Sequence, residues 1–456
     1  MFERKAYAKL LAWKSESLGQ TAMLIEGARR VGKTTLAKRF AAEEYSDSIY
    51  IDFSSASKEL RDLFETNQGD IDTLLRMLQL YYTKALSERD AVIIFDEVQN
   101  FPKARELIKH LVADGRYDYI ETGSLVSIKK NVRNIVIPSE EDRLSLDPLD
   151  FEEYLWARDD KMLADEIRRS YNDRVALPQA IHSKCEMLFN EYMLVGGMPQ
   201  AVSAFFEKKD FAACDKVKRR ILALYLDDMG KFGGPDGRKA YAIFNAVPGQ
   251  LSAGSKRFKF STLGKNARSR DYESAVMWLE DAHLINVCRR CTDPNVGYKF
   301  TEDEGNLKCY MADTGLLVSH AFADGENVLE VYKAIQFGKL SINKGMIVEN
   351  VVAQQVRSNA ERLFYYSWTE EPKDANRKSS LAREVDFLLT RGTSSSLKPR
   401  VCPIEVKSTK RYSTTSLDDF HVKFKNRVGS EVVLHPKQMK VEGNRIYLPL
   451  YMSFCI

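Results

Sequence analysis

The sequence predicts an α/β protein whose first domain is a parallel β-sheet with a phosphate-binding loop after its first strand. Three observations point there. An apolar strand at residues 23–26 runs straight into GARRVGKT and then into an amphipathic helical pattern. A second apolar run, AVIIF at 91–95, ends in the acidic pair Asp96-Glu97. Further short apolar runs at 49–53, 117–121 and 144–146 are separated by helical periodicity. Strands spaced by helices form a parallel sheet with crossovers.

The chain opens with MFERKAYAKLLAWKSES, which reads as a charged amphipathic helix. No uninterrupted apolar core follows its positive charges, so it is not expected to be a signal peptide. GARRVGKT then matches GxxxxGK[ST] in the strand–loop–helix context that the motif requires. Gly27 and Gly32 let the backbone wrap closely, so that its N–H groups and the helix N-terminus can face phosphates. The expected ATP-binding residues are Gly27, Ala28, Arg29, Arg30, Val31, Gly32, Lys33, Thr34 and Thr35, together with Asp96. Lys33 would reach the β- and γ-phosphates, and Thr34 would ligate Mg²⁺.

The acidic pair lies at the carboxyl end of a buried strand, where open α/β sheets bind ligands. Asp96 would complete the Mg²⁺ shell, and Glu97 is placed to act as general base for the attacking water. The strand in YDYIETGSL ends in small polar residues. Ser124 is expected to sense the γ-phosphate, with Thr122 as its competitor. Arg143, in EDRLSLDPLDF, is either a γ-phosphate contact, in cis or from a neighbouring subunit, or a surface arginine before a strand.

From Pro148 and LDFEEYLWA the pattern turns helical over 151–235, broken at Gly196-Gly197 and Pro199, with GGPDG (233–237) as a linker or turn. A compact helix follows at 271–283, with Tyr272, Ala275, Val276 and Leu279 on one apolar face. INVCRRC and VGYKF read as two β-segments after it. Helices followed by a hairpin suggest a winged helix. The cationic stretch before that helix carries Lys256, Arg257, Lys259, Lys265, Arg268 and Arg270, interleaved with Phe258 and Phe260, and could neutralise DNA phosphates. The helix that would enter a major groove bears Asp271, Glu273, Glu280 and Asp281 and no cation, which argues against sequence reading through it. The same module could bind a protein partner. From about residue 341 the chain returns to a helix and then strands FYYSW, EVDFLLT, VCPIEVKS and EVVLHP.

At 456 residues the chain has room for two to four domains, and its composition is that of a globular protein, 44% hydrophobic and 29% charged. A net charge of +4 is too small to argue for nucleic acid by itself. Seven cysteines are an odd number for a disulfide framework and read as reduced thiols of a cytoplasmic protein. Cys288 and Cys291 form a CxxC with no second pair and no histidines at ligand spacing, which disfavours zinc. No stretch is long and apolar enough to span a membrane.

GARRVGKTT, IIFDEVQ, YIETGSL, DPLDFEEYLW, YMLVGGMPQAV, YMADTGLL and PIEVKS, in this order, resemble a prokaryotic AAA-type P-loop ATPase family. Its members have an N-terminal AAA domain and a C-terminal domain of unknown function similar to restriction-endonuclease folds. The resemblance runs over essentially the whole chain. It implies an ASCE P-loop topology, a helical lid, a winged-helix middle and a nuclease-like end, but no biological role. The expected domains are 1–150, 151–235, 236–325 and 326–456.

The C-terminal residues can be weighed beside that likeness. Glu405 and Lys407 in PIEVKS lie two apart on a strand and so share a face. Asp386 is on the preceding strand, and Glu349 lies on a helix upstream. This is the PD-(D/E)xK arrangement, in which carboxylates hold a divalent metal at a phosphodiester, so a second metal is expected with it. A Glu–Lys pair on the solvated face of an edge strand is the plainer alternative. The expectation overall is a cytoplasmic, Mg²⁺-dependent ATPase with a DNA-related or regulatory task. One alternative is an ATP-gated, metal-dependent DNA nuclease; the other is a nucleotide-dependent switch that binds a protein and cleaves nothing. An oligomer is open, because no arginine stands out as one supplied to a neighbour.

Overall fold

The N-terminal apolar runs pair in parallel as β1 (Ala22–Glu26), β2 (Asp47–Asp52), β3 (Ala91–Asp96), β4 (Asp118–Gly123) and β5 (Glu141–Ser145). Their spatial order is β2-β3-β4-β1-β5. The computed structural model describes residues 1–123, 139–232, 236–253, 256–322, 328–336, 344–359, 362–370, 381–393 and 396–456. β4 lies between the strand that feeds the loop and the strand that ends in Asp96, so the carboxyl ends of all three meet along one edge of the sheet. β3 is buried at every residue, as a continuous apolar run covered on both faces should be. Among the described residues β5 bonds only to β1, and it begins with Glu141, Asp142 and Arg143; an edge strand tolerates these, and apolar patterning alone therefore placed it late, at 144–146. Phe53, Phe64, Phe95 and Phe101 pack ring on ring under the sheet. Each such fully buried ring stabilises the fold by about 2 kcal/mol.

The chain divides into two units: residues 1–147 with 281–283, and residues 148–280 with 284–456. Apart from 281–283, the expected lid, winged-helix middle and C-terminal domain lie in the second unit.

Five helices fill 148–232: Phe151–Ala157, Lys161–Asp173, Gln179–Val195, Pro199–Lys208 and Phe211–Phe232. The expected break at Gly196-Gly197 and Pro199 separates the third from the fourth. Of the expected GGPDG turn, 233–235 lie outside the described residues, and Gly237 already starts the helix Gly237–Ser252. The compact helix is Ser269–Asp281, with Ala275, Val276 and Leu279 buried and Tyr272 part-exposed. β6 (Ile285–Cys291) pairs antiparallel with β7 (Glu302–Met311). VGYKF, expected as the second hairpin strand, is a turn instead. Gly297 sits at φ 88°, residues Tyr298–Thr301 form a short 3-10 helix, and the strand begins at Glu302. Tyr298 is buried while Phe300 is 94% exposed, so these two aromatics do not share a face as residues two apart on a strand would.

β6 and β7 end one eight-stranded sheet that continues through β8 (Leu363–Glu370), β9 (Leu381–Thr393), β10 (Ser396–Val406), β11 (Glu431–His435), β12 (Lys440–Glu442) and β13 (Arg445–Pro449). The order is β12-β13-β11-β10-β9-β8-β6-β7, and β6 bonds to β8 in parallel. The hairpin expected as a wing is therefore continuous with the C-terminal sheet. Among the described residues no helix is long and apolar enough to cross a membrane.

The helix Lys344–Asn359 is buried from Met346 through Val356, on all sides, yet carries Glu349, Asn350, Gln354 and Gln355. Each is satisfied internally. Asn350 Oδ1 accepts from Met311 N at 2.8 Å, Gln354 Oε1 accepts from Thr314 N at 2.9 Å, and Gln355 Oε1 accepts from Phe151 N at 2.8 Å. Both glutamine amides donate to the Tyr192 hydroxyl, which itself donates to Leu149 O at 2.7 Å. Asp313, also buried, caps the helix Thr314–Ala321 through Leu316 N at 2.8 Å and accepts from Gly197 N at 2.5 Å. DPLDF, GGMP and ADTG thus meet at one point.

That meeting leaves no room for side chains. A Cβ on Gly197 would stand 2.1 Å from Leu149 O, and one on Gly315 would stand 2.5 Å from Val195 O. Gly197→Ala is expected to destabilise the second unit by roughly 1–3 kcal/mol or more through overpacking. Chemical denaturation of the purified variant measures this, and an unchanged midpoint would contradict the packing described.

Candidate functional site

The turn between β1 and the helix Lys33–Glu44 is built for close approach. Gly27 has φ 155° and Gly32 φ 105°, and a Cβ on Gly27 would meet Leu146 O at 2.3 Å. Ala28 and Val31 are buried, with Val31 fully so, and anchor the loop, while Arg29, Arg30 and Thr35 are exposed. Arg30 takes a left-handed turn, φ 68°. Arg4 braces the loop from behind, donating to Val31 O at 3.1 Å and to Asp147 O at 2.5 Å. Lys33 is buried, and its ammonium donates to the loop's own carbonyls, Gly27 O at 2.9 Å and Ala28 O at 3.0 Å. Burial lowers its pKa against the pull of Glu97 and Asp96.

Asp96 gathers three hydroxyls at the carboxyl edge of the sheet. Thr34 Oγ1 lies 2.8 Å from Oδ1 and 3.1 Å from Oδ2; Tyr50 donates to Oδ2 at 2.6 Å; Thr122 donates to Oδ1. The backbone turns sharply at Glu97, which is left-handed at φ 52°, and its N–H reaches Thr122 Oγ1 at 3.3 Å. The Gln99 amide donates to the Glu97 carboxylate. The structure therefore brings Lys33, Thr34, Asp96 and Glu97 together, with Thr122 between the two acids' elements. Ser124 lies outside the described residues. Tyr50 was not expected from the sequence. Its signal is faint: a phenol in IYID, on the strand registered beside β3, with its ring under the Lys38 ammonium at 3.5 Å.

Arg143 sits in mid-strand, opposite Leu24, and its Nε binds Glu141 at 3.2 Å. Arg105, by contrast, is buried. It binds Glu141 at 2.6 Å and lies 3.6 Å from Glu121, beside Thr122 on β4. Both arginines bind Glu141, so among the described residues Glu121 is left with only the longer 3.6 Å contact to Arg105. Burial and the Glu141 carboxylate raise Glu121 to about 8.

In the second unit, Glu349, Asp386, Glu405 and Lys407 also come together. Val406 N donates to Asp386 Oδ2 at 2.8 Å, and Lys407 Nζ lies 2.5 Å from Glu405 Oε1. Sequence reasoning missed what stands among them. Lys308 is fully buried, with its ammonium 2.6 Å from Glu384, 3.3 Å from Glu349 and 3.7 Å from Asp386. Lys256 also pairs with Glu349. Burial lifts Glu405 to about 7 and lowers Lys256 to about 8. Among the described residues no group of three or more His, Cys, Asp or Glu side chains is arranged to hold a metal ion. The cationic stretch loses Lys256 to this cluster, and Phe258 and Phe260 are core residues; Arg257, Lys259, Lys265, Arg268 and Arg270 remain exposed.

Residues 19–155 match the AAA domain family. Residues 186–327 and 344–452 match two domains of unknown function, DUF8612 and DUF4143. No curated protein matches the chain. Among solved structures, the chain is similar to the Walker-type ATPase paby2304 of Pyrococcus abyssi at 14% identity and a TM-score of 0.41, covering 70% of this chain and 96% of that one. It is similar to the STAND protein PH0952 of Pyrococcus horikoshii, with its tetratricopeptide repeat sensor, at 13% identity and a TM-score of 0.28, covering 78% of this chain and 48% of that one. Drosophila ORC bound to DNA gives 16% identity and a TM-score of 0.26, covering 72% of this chain and 95% of that one. The AAA-domain match and the loop geometry together support a nucleotide-binding AAA-type ATPase unit.

A carboxyl raised to about 8 on folding holds its proton in the native state while the unfolded chain, near 4.5, has lost it. Stability from this group is complete below the unfolded value and falls as pH rises toward 8, by up to about 1.4 kcal/mol per pH unit. Thermal melts between pH 6 and 8.5 are expected to fall in the wild type and to flatten in Glu121→Gln. Identical slopes would remove Glu121 as the cause.

Proposed function

We propose that this chain is a Mg²⁺-dependent ATPase whose reaction is carried by Lys33, Thr34, Asp96, Glu97 and Thr122. The observation that supports it most is the convergence on Asp96 of hydroxyls from the loop helix and from β4. The backbone of residues 27–34 would cradle the phosphates, because nothing larger than hydrogen at Gly27 leaves room for the turn. Thr34 and Asp96 would hold Mg²⁺, which supplies neutralising charge at the β- and γ-phosphates. Lys33 would exchange its two carbonyl partners for phosphate oxygens. Glu97, oriented by Gln99, would take the proton of the attacking water. Thr122, touching both acids' elements, is the better-placed γ-phosphate sensor among the described residues.

For the second unit, a nucleotide-dependent switch that binds a partner and cleaves nothing is favoured over an ATP-gated nuclease. Lys308 standing among the carboxylates is the observation that favours it. Contact with DNA, if the task is DNA-related, would fall on the exposed cations of 257–270 and would weaken steeply with salt.

Lys33→Ala is expected to weaken ATP binding by roughly 10- to 100-fold, the loss of charge-assisted bonds. Glu97→Gln should keep ATP binding and lose about 100-fold or more in turnover. Equilibrium ATP binding and steady-state phosphate release measure both, and near-normal turnover in the two variants would refute the assignment. Thr122→Val should slow hydrolysis more than Ser124→Ala; the opposite order would make Ser124 the sensor.

A further inference from the structure

We infer that Lys308 is a built-in cation occupying the place of a divalent metal, so that the carboxylates of Glu349, Glu384 and Asp386 are held together without one. The placement follows from the strand. Lys308 and Tyr310 are two apart on β7 and share a face. Tyr310 donates to Glu349 Oε1 at 2.5 Å, and Lys308 reaches the same oxygen at 3.3 Å. From there its ammonium lies 2.6 Å from Glu384 and 3.7 Å from Asp386. Three carboxylates from a helix and a strand therefore converge on one nitrogen.

Lysines already offset most of the negative charge at this cluster. Glu349, Glu384, Asp386 and Glu405 are four acids, and Lys256, Lys308 and Lys407 are three bases in contact with them. A Mg²⁺ or Mn²⁺ ion needs several oxygens at about 2.0–2.2 Å around a common centre. Here an ammonium stands at that centre, and its like charge would oppose the ion at short range. Being covalently attached to β7, it is present at an effective concentration that a free ion must outcompete. Burial works against its charge, but Glu384, Tyr310 and Asp386 outweigh burial and keep it protonated. Glu405 Oε2 is a buried carboxylate atom of the cluster with no hydrogen-bond partner among the described residues, and Lys407 serves the other oxygen. Of the Asp386, Glu405 and Lys407 pattern, Asp386 is thus tied to Lys308 and Glu405 to Lys407.

Nucleotide-free wild type, Asp386→Asn and Lys308→Met, each dialysed against chelator, are titrated with Mn²⁺, and free ion is read by electron paramagnetic resonance. All three share the same nucleotide site, so its Mn²⁺ uptake cancels between them. The wild-type and Asp386→Asn curves are expected to superimpose. Sub-millimolar Mn²⁺ should raise the melting temperature of Lys308→Met by several degrees more than that of the wild type, or restore its soluble yield if it does not fold without the ion. An equivalent of Mn²⁺ bound by the wild type and lost in Asp386→Asn would overturn the inference. A Lys308→Met protein whose melting and yield both ignore Mn²⁺ would overturn it equally.

Discussion

The helix Lys344–Asn359 governs residues 148–456 because it buries polar groups that have no water to bond. A helix enclosed on all sides is ordinarily apolar. This one must find a partner for each of Asn350, Gln354 and Gln355, and those partners lie on β7, at the start of the helix Thr314–Ala321 and at Phe151. An unmet buried amide costs roughly 1–3 kcal/mol, so the segments that supply the partners are held in register with the helix. Asp313 extends the constraint to Gly197, and Tyr192 extends it to Leu149. The helices of 148–232, the β6–β7 hairpin and the C-terminal strands form one unit for this reason.

The N-terminal unit is organised differently, around a single carboxylate at the edge of a parallel sheet. Parallel strands bring all their carboxyl ends to one side, which is where Asp96 meets Thr34, Tyr50 and Thr122. The left-handed turn at Glu97 then swings the second acid out of the strand direction, so that adjacent residues serve different roles. Arg105 lies behind this edge, tying the short helix Pro102–Glu106 to β4 and β5 through Glu121 and Glu141. The two units thus solve opposite problems: one presents polar groups at an edge, the other seals them inside.

The nucleotide loop was legible because its demands are local. Close backbone approach needs glycine at 27 and 32, and a lysine and a threonine must follow at once. β3 was legible because a strand buried on both faces must be apolar throughout. β5 was read late because an edge strand can carry charge, and VGYKF was misread because aromatic content suggested a strand where Gly297 makes a turn. Glu405 and Lys407 were paired by spacing, since two-residue periodicity places them on one face, while Asp386 and Glu349 were added from neighbouring elements because the family resemblance suggested a nuclease site. Lys308 was not, because it lies 41 residues from Glu349 and nothing in KCYM marks it as a counter-ion.

By itself the sequence determined what depends on neighbours along the chain: the phosphate-binding turn, the acidic strand end, the helix and strand periodicities, and the shared face of Glu405 and Lys407. Only the tertiary structure decided which hydroxyls orient Asp96, that the regions after Pro148 share one core, and that a lysine stands among the C-terminal carboxylates. The division is physical. Backbone conformation and periodicity are set by residues a few positions apart, whereas the partner of a buried polar group is chosen by whatever side chain the fold carries to it.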